Sequence, residues 1–230
     1  MVFKLPEMGI EMIEYKSMIY LIGGPPKCGK TTLAKKVSKK LRIPWVASDT
    51  LQVVARQYVS KLVSAKKFDL LYPHNALKGD SNDETYSLHS PKTIAKSYIK
   101  QAKATYDAIE MFCACEITDG NDYIIEGYHV TPQLVDRLMT KYGSKNFRVV
   151  YIVKNDVEAF VNDCKKSSTP NDWILRKTKN QETFYKIGEM IQAYEKRQAP
   201  APDASPRDRQ AAGEKAGGQV PSIHRGFCLR

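Results

Sequence analysis

No apolar run in the sequence approaches the roughly 18–20 residues that a membrane-spanning helix needs, so a membrane-embedded chain is not expected. The N-terminal stretch Met1–Glu7 has no basic segment followed by an apolar one, which argues against a secretory signal. Cysteine is scarce and unpatterned: five residues, Cys28, Cys113, Cys115, Cys164 and Cys228, none in a C-x-x-C pair. That spacing argues against a disulfide framework or a zinc site, and the expected compartment is the reducing cytoplasm. Internal repeats are lacking too.

What is there is a basic chain of 230 residues, 42% apolar and 27% charged, with a formal net charge of +11. This length fits one globular domain with an insertion. The positive excess sits in residues 1–60 and 123–197, while 61–122 is close to neutral. A basic chain suits either nucleic acid or small anionic ligands such as nucleotides. Charge alone does not choose.

Up to about residue 197 the pattern alternates between strands and helices. Apolar runs at 17–22, 43–47, 123–125 and 147–153 read as buried strands, and the first is stopped by Gly23-Gly24. Between the first two, residues 31–41 show helical spacing, with Leu33, Ala34, Val37 and Leu41 on one side and Lys35, Lys36, Lys39 and Lys40 on the other. Such alternation predicts an α/β fold, a mostly parallel sheet with helices on both faces. One long helix is expected over 90–119, opened by Ser90-Pro91 and closed by Asp119-Gly120, with Cys113 and Cys115 as packing residues. Residues 61–118 form a substrate-side insertion, whose 61–89 part is rich in Gly, Pro, Asn and Asp. A lid is expected over 163–180. Residues 198–230, dominated by Ala, Pro, Gly, Asp and Arg, are expected to be disordered and dispensable for stability.

One motif is specific. Gly24-Pro25-Pro26-Lys27-Cys28-Gly29-Lys30-Thr31 satisfies G-x-x-x-x-G-K-[ST] and stands between a predicted strand and a predicted helix. Its backbone N–H groups and the helix N-terminus, with Thr32 in the first turn, suit a nucleotide's phosphates. Lys30 can reach the β- and γ-phosphates, and the Thr31 hydroxyl can ligate Mg²⁺. Asp49 and Glu126 stand just beyond the second and third strands, where ligands bind in open parallel sheets.

The phosphate loop, the Ser48-Asp49-Thr50 turn and the run Ile125-Glu126-Gly127-Tyr128-His129-Val130-Thr131-Pro132 together resemble the small P-loop kinases. Within that group they resemble the 2-phosphoglycerate kinase-like and zeta-toxin-like proteins. The resemblance extends over about residues 17–197. It implies a five-stranded, adenylate-kinase-like three-layer fold with a lid, and ATP and Mg²⁺ as cofactors. It further implies phosphoryl transfer to a hydroxyl of a small, anionic substrate, Asp49 activating that hydroxyl, and Glu126 holding the metal or the substrate. Arg56, two helical turns after Asp49, is a candidate for a substrate anion; Arg176 is a candidate for closing over the transferring phosphoryl group. His129 is a weaker candidate for substrate contact.

Three rivals compete with this reading. Val153-Lys154-Asn155-Asp156 has the Lys and Asp of a guanine-reading motif but not its leading Asn or Thr. A nucleic-acid-associated ATPase would explain the basic charge, though a solvated lysine face explains it more simply. A zeta-toxin-like kinase would share the chemistry but act on a nucleotide sugar.

Overall fold

The computed structural model describes residues 17–58, 77, 79–154, 156–167 and 172–198. The expected disordered tail beyond Gln198 and most of the 61–89 loop lie outside the described residues.

Four strands, β1 (Ile19–Gly23), β2 (Trp45–Ala47), β3 (Tyr123–Glu126) and β4 (Phe147–Tyr151), form a sheet in the order β2-β3-β1-β4. Every pairing is parallel. The register sets Ile22 beside Glu126 and Val150, and Ala47 beside Glu126, so the three strand ends carrying the predicted site finish level. From the ends of β1 and β3 the chain departs in opposite directions, one towards β2 and the other towards β4. The crevice between them is the topological switch point, where open α/β sheets bind ligands. The fold is that of a P-loop NTPase.

Alternation along β1 sorts the core. Ile19 and Leu21 face one side, with Ile125 of β3 and Phe147 of β4. Against them pack α4 (Pro91–Ala104), α5 (Tyr106–Asp119), α6 (Pro132–Tyr142) and α9 (Gln181–Gln198). Ile22 and Ile124 face the other side and meet Ala34 of α1 (Lys30–Leu41). Helices on both faces were expected, but among the described residues α1 is the only one on this second face. Leu41, expected in its apolar stripe, is exposed, and so is Val150 of the edge strand β4. No fifth strand lies beside β4 among the described residues.

The single helix expected over 90–119 is two. At Thr105 the hydroxyl donates to the Gln101 carbonyl and the backbone N–H turns to Ala102. A threonine that takes the i−4 carbonyl with its side chain competes with the helical ladder and bends it. The periodicity continues through the bend, because both halves bury residues in the same core. Ser90 caps α4 with Pro91 at its first position, and Gly120 ends α5 in the left-handed conformation.

The remaining helices frame the crevice: α2 (Ser48–Tyr58), α3 (Asn82–Leu88), α7 (Val157–Lys165) and α8 (Trp173–Lys177). The last helix, α9, packs chiefly on α4 and also touches α3 and α7, tying both walls of the crevice to the core.

Candidate functional site: a phosphate loop facing an acceptor pocket

The loop 24–29 leaves β1 by passing close under β4. Gly24 has φ +133°, and a Cβ there would lie 2.2 Å from the Ile152 carbonyl oxygen, so only glycine fits. Gly29, at φ +92°, turns the chain into α1, and Lys30 to Thr32 form that helix's first turn. The Lys30 ammonium is buried and donates to the loop's own Pro25 carbonyl, 3.7 Å from Cys28 Sγ. Burial raises the Cys28 thiol's pKa against the pull of Lys30, so this cysteine stays a neutral thiol.

At the end of β3, Glu126 is buried and accepts a 2.8 Å hydrogen bond from the Thr31 hydroxyl. Burial raises its pKa; the Thr31 bond and Lys30 oppose this, while Asp49 adds to it. Asp49 opens α2 and is raised in the same way, by desolvation against the pull of Lys30 and Arg56. Two carboxylates thus face one loop lysine, and Asp49 adds to the rise of Glu126. Their closeness depends on Gly127, at φ +151°, where a Cβ would sit 1.8 Å from Ser48 Oγ.

A cavity of about 480 Å³ runs from the loop to α3 and α4. Pro26, Lys27, Lys30, Thr31, Asp49 and Glu126 line its phosphate end. Arg56 enters from α2, donating to Gln52 Oε1 at 2.8 Å, and Arg176 and Lys177 enter from α8. The far end is built from Tyr86, Ile94, Tyr98, Gln101 and Tyr128. Sequence reasoning did not assign these five to the site. Ile94, Tyr98 and Gln101 share one face of α4 at helical spacing, and the apolar members of such a stripe read as core.

His129 does not line this cavity, which corrects its assignment as a substrate contact. The ring is fully buried, 2.8 Å from Ser48 Oγ through Nδ1. Desolvation first, then Arg56 and Lys30, push its pKa down to about 3. It is a neutral strut holding the end of β3 against the start of α2. Lys154 and Asp156, the two matches to a guanine-reading motif, are engaged elsewhere. Lys154 pairs with Asp163, and Asp156 caps α7 through Ala159 N at 3.0 Å.

The α8 side is fastened to the phosphate loop. Buried Asp172 forms an ion pair with Lys27, accepts from Ser167 and caps α8 through Ile174 N. Burial pushes the Asp172 carboxyl up, but the bonds from Lys27 and then Ser167 outweigh it and hold the carboxyl below its ordinary range. Lys27 itself has φ 62°, so a left-handed turn in the loop aims this side chain at Asp172.

These donors suit a polyphosphate: a helix N-terminus, a glycine-bearing turn and a buried ammonium converge on one spot. A divalent cation would rest on Thr31, on Glu126 through water, and on phosphate oxygens, as Mg²⁺ prefers. Among the described residues no group of three His, Cys, Asp or Glu side chains forms a protein-only metal site. No described helix is long and apolar enough to cross a membrane.

The family described as "ATPase family associated with various cellular activities (AAA)" matches residues 20–109, from β1 into α5. The mevalonate-3-phosphate 5-kinase of Thermoplasma acidophilum is 26% identical over 126 residues, 54% of this chain and 57% of that protein. The chain therefore spans little more than half the length of this relative. Two solved structures, an uncharacterized protein from Eubacterium ventriosum and a candidate kinase from Chloroflexus aurantiacus, are each 14% identical to the chain. Each superimposes with a TM-score of 0.40 over 87% of this chain and 96% of its own. Phosphate-loop architecture and sequence similarity to a kinase therefore coincide in one molecule.

Proposed function

We propose that the protein is an ATP- and Mg²⁺-dependent phosphotransferase that moves the γ-phosphoryl group of ATP to a hydroxyl of a small anionic acceptor. One observation carries the reading: the phosphate loop, two carboxylates and arginines from two different helices all line a single cavity. An ATPase needs the loop and a water; it does not need a second, walled chamber beyond the γ-phosphate.

In this reading the acceptor hydroxyl gives its proton to Asp49 while its oxygen bonds to the γ-phosphorus. The bond from that phosphorus to the β–γ bridging oxygen breaks, and ADP leaves. Asp49 is exposed to the open cavity, and the desolvation that nonetheless raises its carboxyl makes it a better base near neutral pH than an ordinary aspartate. Lys30 balances the β- and γ-phosphates, and Arg176 closes over the transferring group from α8. Thr31, and Glu126 through water, would hold Mg²⁺, which would supply positive charge against the phosphates. Arg56, beside Asp49, binds the acceptor's anionic group. The named substrate of the Thermoplasma relative is itself a phosphorylated compound, which supports an anionic acceptor here.

ADP release should require Mg²⁺ and rise when a metabolite pool is added. Lys30→Ala should remove that rise altogether. An unchanged rate in this variant would exclude phosphoryl transfer at the loop.

A second reading, a nucleic-acid-associated ATPase, has one observation behind it: Lys35, Lys36, Lys39 and Lys40 are exposed along α1. It predicts nucleic-acid binding that weakens steeply with salt and ATP turnover stimulated by nucleic acid rather than by small acceptors.

A further inference from the structure

The far end of the cavity holds two polar atoms that none of the described residues answers. Gln101 is 3% exposed and its Oε1 has no hydrogen-bond partner; Tyr86 is 5% exposed and its hydroxyl has none either. Both side chains line the cavity. A buried amide oxygen without a donor costs about 1–3 kcal/mol, so a protein retains one where a ligand supplies the donor. The neighbouring polar side chains do not. Asn82 is spent on Thr178 at 3.0 Å, and the Thr85 hydroxyl donates to the Ser81 carbonyl at 2.8 Å.

The chemistry of the missing partner follows from the atom types. Gln101 Oε1 only accepts, so a carboxylate or phosphate cannot satisfy it. The partner is a neutral O–H or N–H, and the Tyr86 hydroxyl, lining the same cavity, can donate as well as accept. Anionic groups have their own place at Arg56 and Arg176, towards the phosphate loop. In the phosphotransfer reading the reacting hydroxyl has its place at Asp49, which Lys30 and Arg56 both influence. Ile94 and the rings of Tyr86 and Tyr98 wall the far end, which suits a short neutral segment rather than a second charge.

Resting on the phosphotransfer reading above, we propose that Gln101 and Tyr86 determine specificity by binding a second, non-reacting hydroxyl. The acceptor is then a polyhydroxylated anion, such as a sugar acid or polyol phosphate, and a mono-hydroxy acid is refused. Sites built to hydrogen-bond a substrate hydroxyl can reject the analogue lacking it by about 10⁴–10⁵-fold.

The test uses the full chain with Mg²⁺ and ATP labelled with ¹⁸O on the γ-phosphate, a metabolite extract, and mass spectrometry of the labelled products. The expected products retain at least one free hydroxyl and a separate anionic group. A labelled product from a mono-hydroxy acceptor overturns this inference and leaves the kinase reading standing. Label confined to inorganic phosphate overturns both. With the acceptor so identified, Gln101→Leu should raise its KM by at least about 100-fold and leave the KM for ATP within about twofold. It should not lower the melting temperature, since it removes an unpaired buried acceptor. A lowered melting temperature with an unchanged acceptor KM would make Gln101 structural and overturn the assignment.

Discussion

At the scale of single residues, this site depends on carboxylates that the fold holds at a cost. Asp49 and Glu126 are raised above the ordinary carboxylate range, so the folded state binds their protons more tightly than the unfolded chain does. Their contribution to stability is present at low pH and is lost as pH rises through the folded-state values. Asp49→Asn should therefore cut turnover by about 10²–10⁴-fold without lowering thermal stability at neutral pH, and should leave Mg·ATP affinity intact. Glu126→Gln should instead shift the Mg²⁺ concentration needed for half-maximal rate. Magnesium titrations of the two variants check this, and a reversed pattern exchanges their roles. His129 has the opposite sign. Its folded value, about 3, lies below that of an unfolded imidazole, so the stability it gives is complete above about pH 6.5 and declines as pH falls below that. Asp49 and Glu126 oppose this decline. In an Asp49→Asn, Glu126→Gln background, the urea midpoint should therefore drop measurably between pH 7 and pH 5. His129→Gln should flatten that slope; an undiminished slope would mean another group carries it.

At the scale of elements, the decisive joint is where β2 and β3 end. Gly127 allows Ser48 to sit against the turn after β3 and Ser48 holds His129, so Glu126, just before Gly127, and Asp49, just after Ser48, are fixed by the same joint. Gly127→Ala would force a Cβ into Ser48 Oγ at a backbone angle that alanine avoids. We expect about 2–4 kcal/mol of destabilisation, read from chemical denaturation, in the range of strained-backbone and overpacking changes. Any folded fraction should also lose turnover, because the two carboxylates part. The Lys27–Asp172 pair plays a comparable part on the other wall, linking the phosphate loop to the helix that carries Arg176. The bend at Thr105 belongs to this scale as well. It lets α4 turn its Ile94–Tyr98–Gln101 face to the cavity while α5 follows the sheet.

At the scale of the whole molecule, the fold is lopsided. Nearly all helices crowd one face of the sheet, and α9 is the keystone that binds α4, α3 and α7 together. Ile187, fully buried in α9, sits in that seam. Ile187→Ala should cost about 2–5 kcal/mol. In the folded fraction it should raise the acceptor KM more than the ATP KM, since α9 braces the acceptor wall rather than the phosphate loop. Equal effects on both would mean that α9 supports the molecule uniformly.

The sequence by itself determined the parts whose signals are local. The glycine and lysine spacing of residues 24–31, the apolar runs of the four strands and the acids at two strand ends all follow from short-range patterns. A parallel α/β sheet with the loop at its carboxyl edge followed from them. Only the tertiary structure decided that, among the described residues, one face carries α1 alone, that Thr105 divides a continuous stripe, and that His129 is a buried strut. Each depends on contacts far apart in the chain. The same holds for Tyr86 and Gln101. On a helix, a residue facing a core and one facing a cavity share the same periodicity. What separates them is whether another part of the chain fills the space opposite, and among the described residues none does so at the far end of this cavity.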